Sequence, residues 1–120
     1  MKVDEIVKRM LVCNLRRWLE DLNGWLKWTI DAIERSDTVE EVMYWKKRLL
    51  TVMLDNLPLS VGHCYFCLKH DMKCDECEYA RVHGFCVRRD SDYKRIVDEV
   101  KRLREMIDEL YYRDESYDQA

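Results

Sequence analysis

Glycine and proline are nearly missing. The chain has 3 glycines and 1 proline in 120 residues, where average usage of about 7% and 5% would give roughly 14 together. Turn-rich sandwiches and barrels are therefore disfavoured, as is any glycine-rich phosphate loop. No run approaches the ~20 apolar residues that a membrane span needs. Met1-Lys2-Val3-Asp4-Glu5 leads directly into an amphipathic pattern rather than a secretory leader. A soluble cytoplasmic protein with no membrane partner is expected. Asparagine occurs only at positions 14, 23 and 56 and glutamine only at 119, a bias shared with thermophile proteins. Neither sign of charge dominates: 21 Lys+Arg face 24 Asp+Glu, a net charge of −3. The overall field therefore does not favour phosphate binding.

What the chain does have is helical period and charge. Hydrophobic residues make up 48% and charged residues 38%, enough to bury a core beneath a charged surface. Val3, Val7, Leu11, Leu15, Trp18, Leu22, Trp25, Leu26, Thr29 and Ile33 recur at steps of three and four, which predicts a first helix from about Asp4 to Arg35. Arg9, Arg16, Glu20, Lys27, Asp31 and Glu34 fall on its opposite side. Asn23-Gly24 is a turn signal, but the apolar phase passes through it, so one continuous helix is expected. Thr38-Val39-Glu40-Glu41 fits a capping box and opens a second helix, running to about Leu57 before Pro58 stops it. Ser91 caps a third helix to about 112, carrying Tyr93, Ile96, Val97, Val100, Leu103, Ile107, Leu110 and Tyr111. The polar tail from Arg113 to Ala120 should fray. These spans predict a single all-α domain, a three-helix antiparallel bundle, with a short insert at about 61–89 between helices two and three.

The insert has no apolar stripe long enough to stabilise itself, yet it holds all three histidines and five of the six cysteines. Its residues read His63-Cys64-Tyr65-Phe66-Cys67, His70, Cys74-Asp75-Glu76-Cys77 and His83-Gly84-Phe85-Cys86. A C-x-x-C turn lets two thiolates face one ion, and zinc takes four such thiolate or imidazole donors in a tetrahedron. A structural zinc on Cys64, Cys67, Cys74 and Cys77 is the leading expectation, with Cys86, His70, His83 and His63 as alternates. Bound metal would supply the folding energy the insert lacks. An iron–sulfur cluster also needs four thiolates, but the tight ferredoxin spacing is absent. Disulfides among the five would leave one thiol unpaired unless Cys13 joined them. Cys13 itself, near the edge of the first helix's apolar arc, is expected to be a buried inert thiol.

The order Cys64, Cys67, Cys74, Cys77-Glu78-Tyr79-Ala80 and Cys86 resembles small cysteine-cluster proteins of archaea, viruses and plasmids. Those proteins have a second C-x-x-C followed by a short apolar stretch and a final cysteine. Glu78 stands where they often carry proline, and the resemblance implies metal binding without implying an activity. His70-x-x-x-Cys74-x-x-Cys77 resembles the H-x-x-x-C-x-x-C of zinc-containing anti-sigma factors, small helical proteins that bind a transcription initiation factor. That resemblance implies zinc and a protein partner.

A catalytic zinc keeps three protein ligands and a water beside a carboxylate base, and Asp75 and Glu76 are close in sequence. A thiolate-rich cluster instead closes its coordination sphere, and no E-x-x-H pair marks a di-iron bundle. The chain is therefore expected to be a non-catalytic interaction or adaptor protein. Its expected partner is a protein bound through a helical face or the insert. The alternative partner is nucleic acid, bound by Arg81, Arg88, Arg89, Lys94 and Arg95 with Tyr79 and Phe85 interleaved. Trp18, Trp25, Trp28 and Trp45 are expected mostly in the core. Trp28 shares a second apolar edge with Val3 and Met10, a surface suited to helix three or to a homodimer.

Overall fold

The protein is described by a computed structural model that covers residues 1–70, 78 and 91–112. Among these, every regular element is helical: α1 (Glu5–Glu34), α2 (Val39–Asp55), a 3-10 turn (Val61–His63), α3 (Tyr65–Lys69) and α4 (Asp92–Leu110). No described helix is long and apolar enough to cross a membrane. The parts of the expected insert at 71–77 and 79–90, and the tail from 113, lie outside the described residues.

Side-chain caps explain where the long helices begin. Asp4 Oδ1 accepts the backbone N–H of Ile6 at 3.0 Å and of Val7 at 3.2 Å, satisfying two donors the first turn cannot. Thr38 Oγ1 accepts from Glu41 N at 3.2 Å, as the capping-box spacing predicts. The reciprocal bond differs from expectation: Glu41 Oε2 accepts from Asp37 N at 3.2 Å, one residue before the cap. Ser91 is fully buried, and its Oγ accepts from Lys94 N at 3.1 Å.

Endings follow backbone sterics. The α2 helix stops at Asp55, two residues earlier than expected, because a proline disfavours helical geometry in the residue before it. Leu57 is thereby excluded as well as Pro58. Asn56 closes the end, its Nδ2 donating to Val52 O at 2.7 Å. At the end of α4, Tyr111 N still donates to Ile107 O at 3.0 Å. Tyr112 then adopts φ 51°, a left-handed end that usually requires glycine or asparagine. Gly24 leaves α1 intact, as the unbroken apolar phase predicts; beyond its chain neighbours and the helix's own backbone, nothing lies within 4 Å of the place its Cβ would occupy.

Two compact units form, one from Met1–Glu20 with Pro58–Glu99 and the other from Asp21–Leu57 with Val100–Ala120. In the second unit, α2 meets both of its neighbours. Trp28 of α1 packs edge-on against Trp45 at 5.3 Å between ring centres. Arg104 Nε of α4 pairs with Asp55 Oδ1 at 2.7 Å, and Lys47 Nζ donates to Asp108 O at 2.7 Å. Thr29, Thr51 and Ala32 are buried in this unit. Each hydroxyl is satisfied within its own helix, Thr29 by Trp25 O at 2.8 Å and Thr51 by Arg48 O at 2.9 Å.

Burial departs from the expected core in two respects. Trp25 and Trp28 remain 60% and 57% exposed, while Trp18 and Trp45 are half-buried. The apolar residues of α4 divide by angle: Tyr93, Val97, Val100, Ile107 and Tyr111 are half-buried, whereas Ile96, Leu103, Met106 and Leu110 are exposed. A helix whose apolar arc is this wide buries one edge against its own chain and leaves the other in water.

Candidate metal centre

The first C-x-x-C is held by the chain on both of its sides. Before it, the 3-10 turn ties His63 N to Ser60 O at 2.9 Å and Cys64 N to Val61 O at 3.3 Å. Cys64 is extended, φ −118° and ψ 120°, and immediately precedes α3. Its carbonyl accepts from Leu68 N at 3.1 Å, so the backbone turns helical between the two cysteines. This places Cys67 within the helix that Cys64 begins. Both are half-buried.

Three residues of α1's unit anchor this segment. Asn14 Nδ2 donates to Gly62 O at 2.8 Å, Asp4 N donates to the Tyr65 hydroxyl at 2.8 Å, and Trp18 meets the His63 ring edge-on at 6.4 Å. Sequence reasoning missed Asn14 and Tyr65. The available signal was an amide on α1 between the apolar positions Leu11 and Leu15, since asparagine competes with the helix backbone and needs a reason to be there.

The histidines of this segment have partners. His63 Nδ1 lies 2.8 Å from Ser60 Oγ, which leaves Nε2 as the ring nitrogen available to a metal. His70 caps the end of α3, its backbone N–H on Phe66 O at 3.0 Å. Its Nε2 bonds Glu78 Oε2.

Glu78 makes the most informative contact of the region. One carboxylate oxygen takes the His70 imidazole and the other pairs with Lys69 Nζ at 2.8 Å. The Lys69 bond, a backbone hydrogen bond and the His70 bond together hold the Glu78 carboxyl well below its ordinary range, at about 2. The same bond raises the Lys69 ammonium above its usual value. Glu78 follows Cys77 in the chain, and Lys69 and His70 follow Cys67 by two and three residues. The clamp returns the chain at Glu78 to the end of the helix that carries Cys67.

Cys74, Cys77, His83 and Cys86 lie outside the described residues, as do Arg81, Arg88 and Arg89. Of the expected nucleic-acid residues, Lys94 and Arg95 are described. Lys94 Nζ holds Asp98 Oδ1 at 3.0 Å and Arg95 holds Asp92 Oδ1 at 3.8 Å, so acids of the same helix already pair with their charge. Cys13 is exposed, contrary to the buried thiol expected. It lies beside Arg9, Arg16 and Arg17 on the outer face of α1, one row beyond the apolar arc.

No family model, curated protein or solved structure matches the chain. The class its described residues define is an all-helical protein whose first C-x-x-C is anchored to a long helix.

Proposed function

We propose that this chain is a small non-catalytic zinc-binding interaction protein. In this reading three helices form a bundle and a structural zinc staples the segment between α2 and α4. The Glu78 clamp on Lys69 and His70 carries the proposal. It ties Glu78, the residue after the second C-x-x-C, to Lys69 and His70 just past the first, as one ion shared by Cys64, Cys67, Cys74 and Cys77 would require. The residues fit such an ion chemically: two half-buried cysteines one helical turn apart are soft donors of the kind zinc takes. Cys86 and His63 remain alternates for the fourth position, and His83 is a further one. His70 is the weaker alternate, because the nitrogen facing its partner is engaged by Glu78. When bound, zinc supplies a closed tetrahedral crosslink. The chain's own residues orient the first ligand pair against α1 through Asn14 and Tyr65.

The exposed apolar residues support a protein partner. Leu103, Met106 and Leu110, spaced by three and four along α4, are exposed, as are Trp25 and Trp28 of α1, and a run of apolar residues along one helix edge left in water marks an interaction site.

Metal content per chain by elemental mass spectrometry, with circular dichroism alongside, tests this reading. The wild-type protein should carry one zinc per chain. Cys64→Ser and Cys67→Ser should lose it while the α1, α2 and α4 helicity persists. Full zinc retention by either variant excludes the assigned ligand set, and a wild-type protein purified with its thiols reduced but without metal excludes the staple.

A further inference from the structure

The described arginines include both paired and unpaired ones. Arg95 and Arg104 hold carboxylates of their own chain. Arg9, Arg16 and Arg17, all exposed, make no ion pair and no hydrogen bond among the described residues, although the chain carries 24 acids. All three border one shallow groove on the outer face of α1, with Lys8, Val12, Cys13 and Glu20 completing it. Lys8 is the partnered member, its Nζ 2.9 Å from Glu5 Oε2. The groove therefore offers three uncompensated guanidinium groups and a single unpaired carboxylate, that of Glu20. It lies in the Met1–Glu20 part of its unit.

We propose that this face of α1 binds the phosphate backbone of a nucleic acid through Arg9, Arg16 and Arg17. Arg9 and Arg16 are two turns apart, about 10 Å along the axis at 1.5 Å per residue, and a row of cations along a rigid rod suits a linear polyanion. The guanidinium group presents paired N–H donors that match phosphate oxygens bidentately, which an ammonium does not. An acidic protein segment would meet the same charge. Unlike a nucleic-acid backbone, it has no regular spacing of anions for this row to follow. The chain's net charge of −3 confines phosphate binding to such a local strip, because the rest of the surface repels it. The expected patch at the start of α4 is a poorer site, since Lys94 and Arg95 are already paired. The proposal does not rest on zinc.

Fluorescence anisotropy on the full-length, zinc-loaded protein tests it, with a short labelled DNA single strand, the matching duplex and a labelled polyglutamate peptide as probes at low salt. At least one DNA probe should bind with salt-sensitive affinity. In Arg16→Gln combined with Arg17→Gln, affinity should fall about tenfold or more, and the slope of log affinity against log salt should flatten by roughly 0.7–0.9 per arginine removed. The charge-matched control, Lys27→Gln combined with Lys101→Gln, should bind as the wild type does. Bound DNA should also slow maleimide labelling of Cys13, read on the Cys13 peptide by mass spectrometry. A purely remote effect of the arginine changes would not produce that protection. The proposal is overturned by absence of DNA binding at low salt or by tighter binding of polyglutamate than of DNA. It is equally overturned by loss of binding in Arg88→Gln with Arg89→Gln but not in the α1 variant, or by unprotected Cys13 at saturation. None of these outcomes alters the zinc stoichiometry, so the two proposals fail separately.

Discussion

The side-chain amide of Asn14 donates to the carbonyl of Gly62 across 2.8 Å and 48 residues of sequence. It joins the middle of a long helix to the turn that presents the first cysteine pair. Replacing Asn14 by Ala leaves that carbonyl without its donor, at a cost of about 1 kcal/mol for a net hydrogen bond. The variant should melt at lower temperature with near wild-type helicity, and zinc should dissociate from it faster in a chelator competition. Unchanged zinc kinetics would show that the anchor does not reach the cysteines.

Glu78→Gln removes the negative charge that Lys69 and His70 share. The geometry of the amide allows one of the two bonds to persist, but the charge-assisted attraction is gone. Zinc affinity measured by competition should weaken, while Glu78→Asp should fall between the two. Wild-type affinity in Glu78→Gln would mean that the clamp and the metal are independent.

Gly24 lies inside α1, and an added Cβ there meets nothing within 4 Å. Gly24→Ala should therefore stabilise the protein by about 0.5–1 kcal/mol, the cost of glycine relative to alanine in a helix interior. A raised denaturation midpoint at unchanged slope is the expected result. Destabilisation would indicate that the helix needs freedom at this point.

Leu103, Met106 and Leu110 recur at steps of three and four on the exposed edge of α4, the spacing by which one helix packs on another. Light scattering should give a mass above the 14.7 kDa of one chain, falling on dilution. Leu103→Glu combined with Met106→Glu should return it to one chain. A mass of one chain at every concentration would leave this edge to a different protein.

The three long helices were legible in sequence to within two residues at their ends, because spacing and caps are local matters, whereas the short α3 within the insert was not expected. Asp4, Thr38 and Ser91 each accept backbone donors within the next four residues, an interaction that depends on nothing distant. Pro58 likewise ends α2 through its immediate neighbour. The cysteine spacing was equally plain, since a C-x-x-C needs only one turn to bring its thiols together.

Three further properties required the folded chain. Which edge of α4 is covered could not be read from a pattern in which Val100 and Leu103 are equally apolar; the covered edge is the one facing α2, where Arg104 reaches Asp55. That Asn14 serves Gly62, and that Glu78 turns back to Lys69 and His70, are pairings across intervening chain that no local rule specifies. That Arg9, Arg16 and Arg17 lack partners among the described residues while Arg95 has one depends on where acids lie in space, and composition counts charges without locating them. Local sterics and hydrogen bonding set the elements of this protein, and long-range packing decides which of their faces are left to meet another molecule.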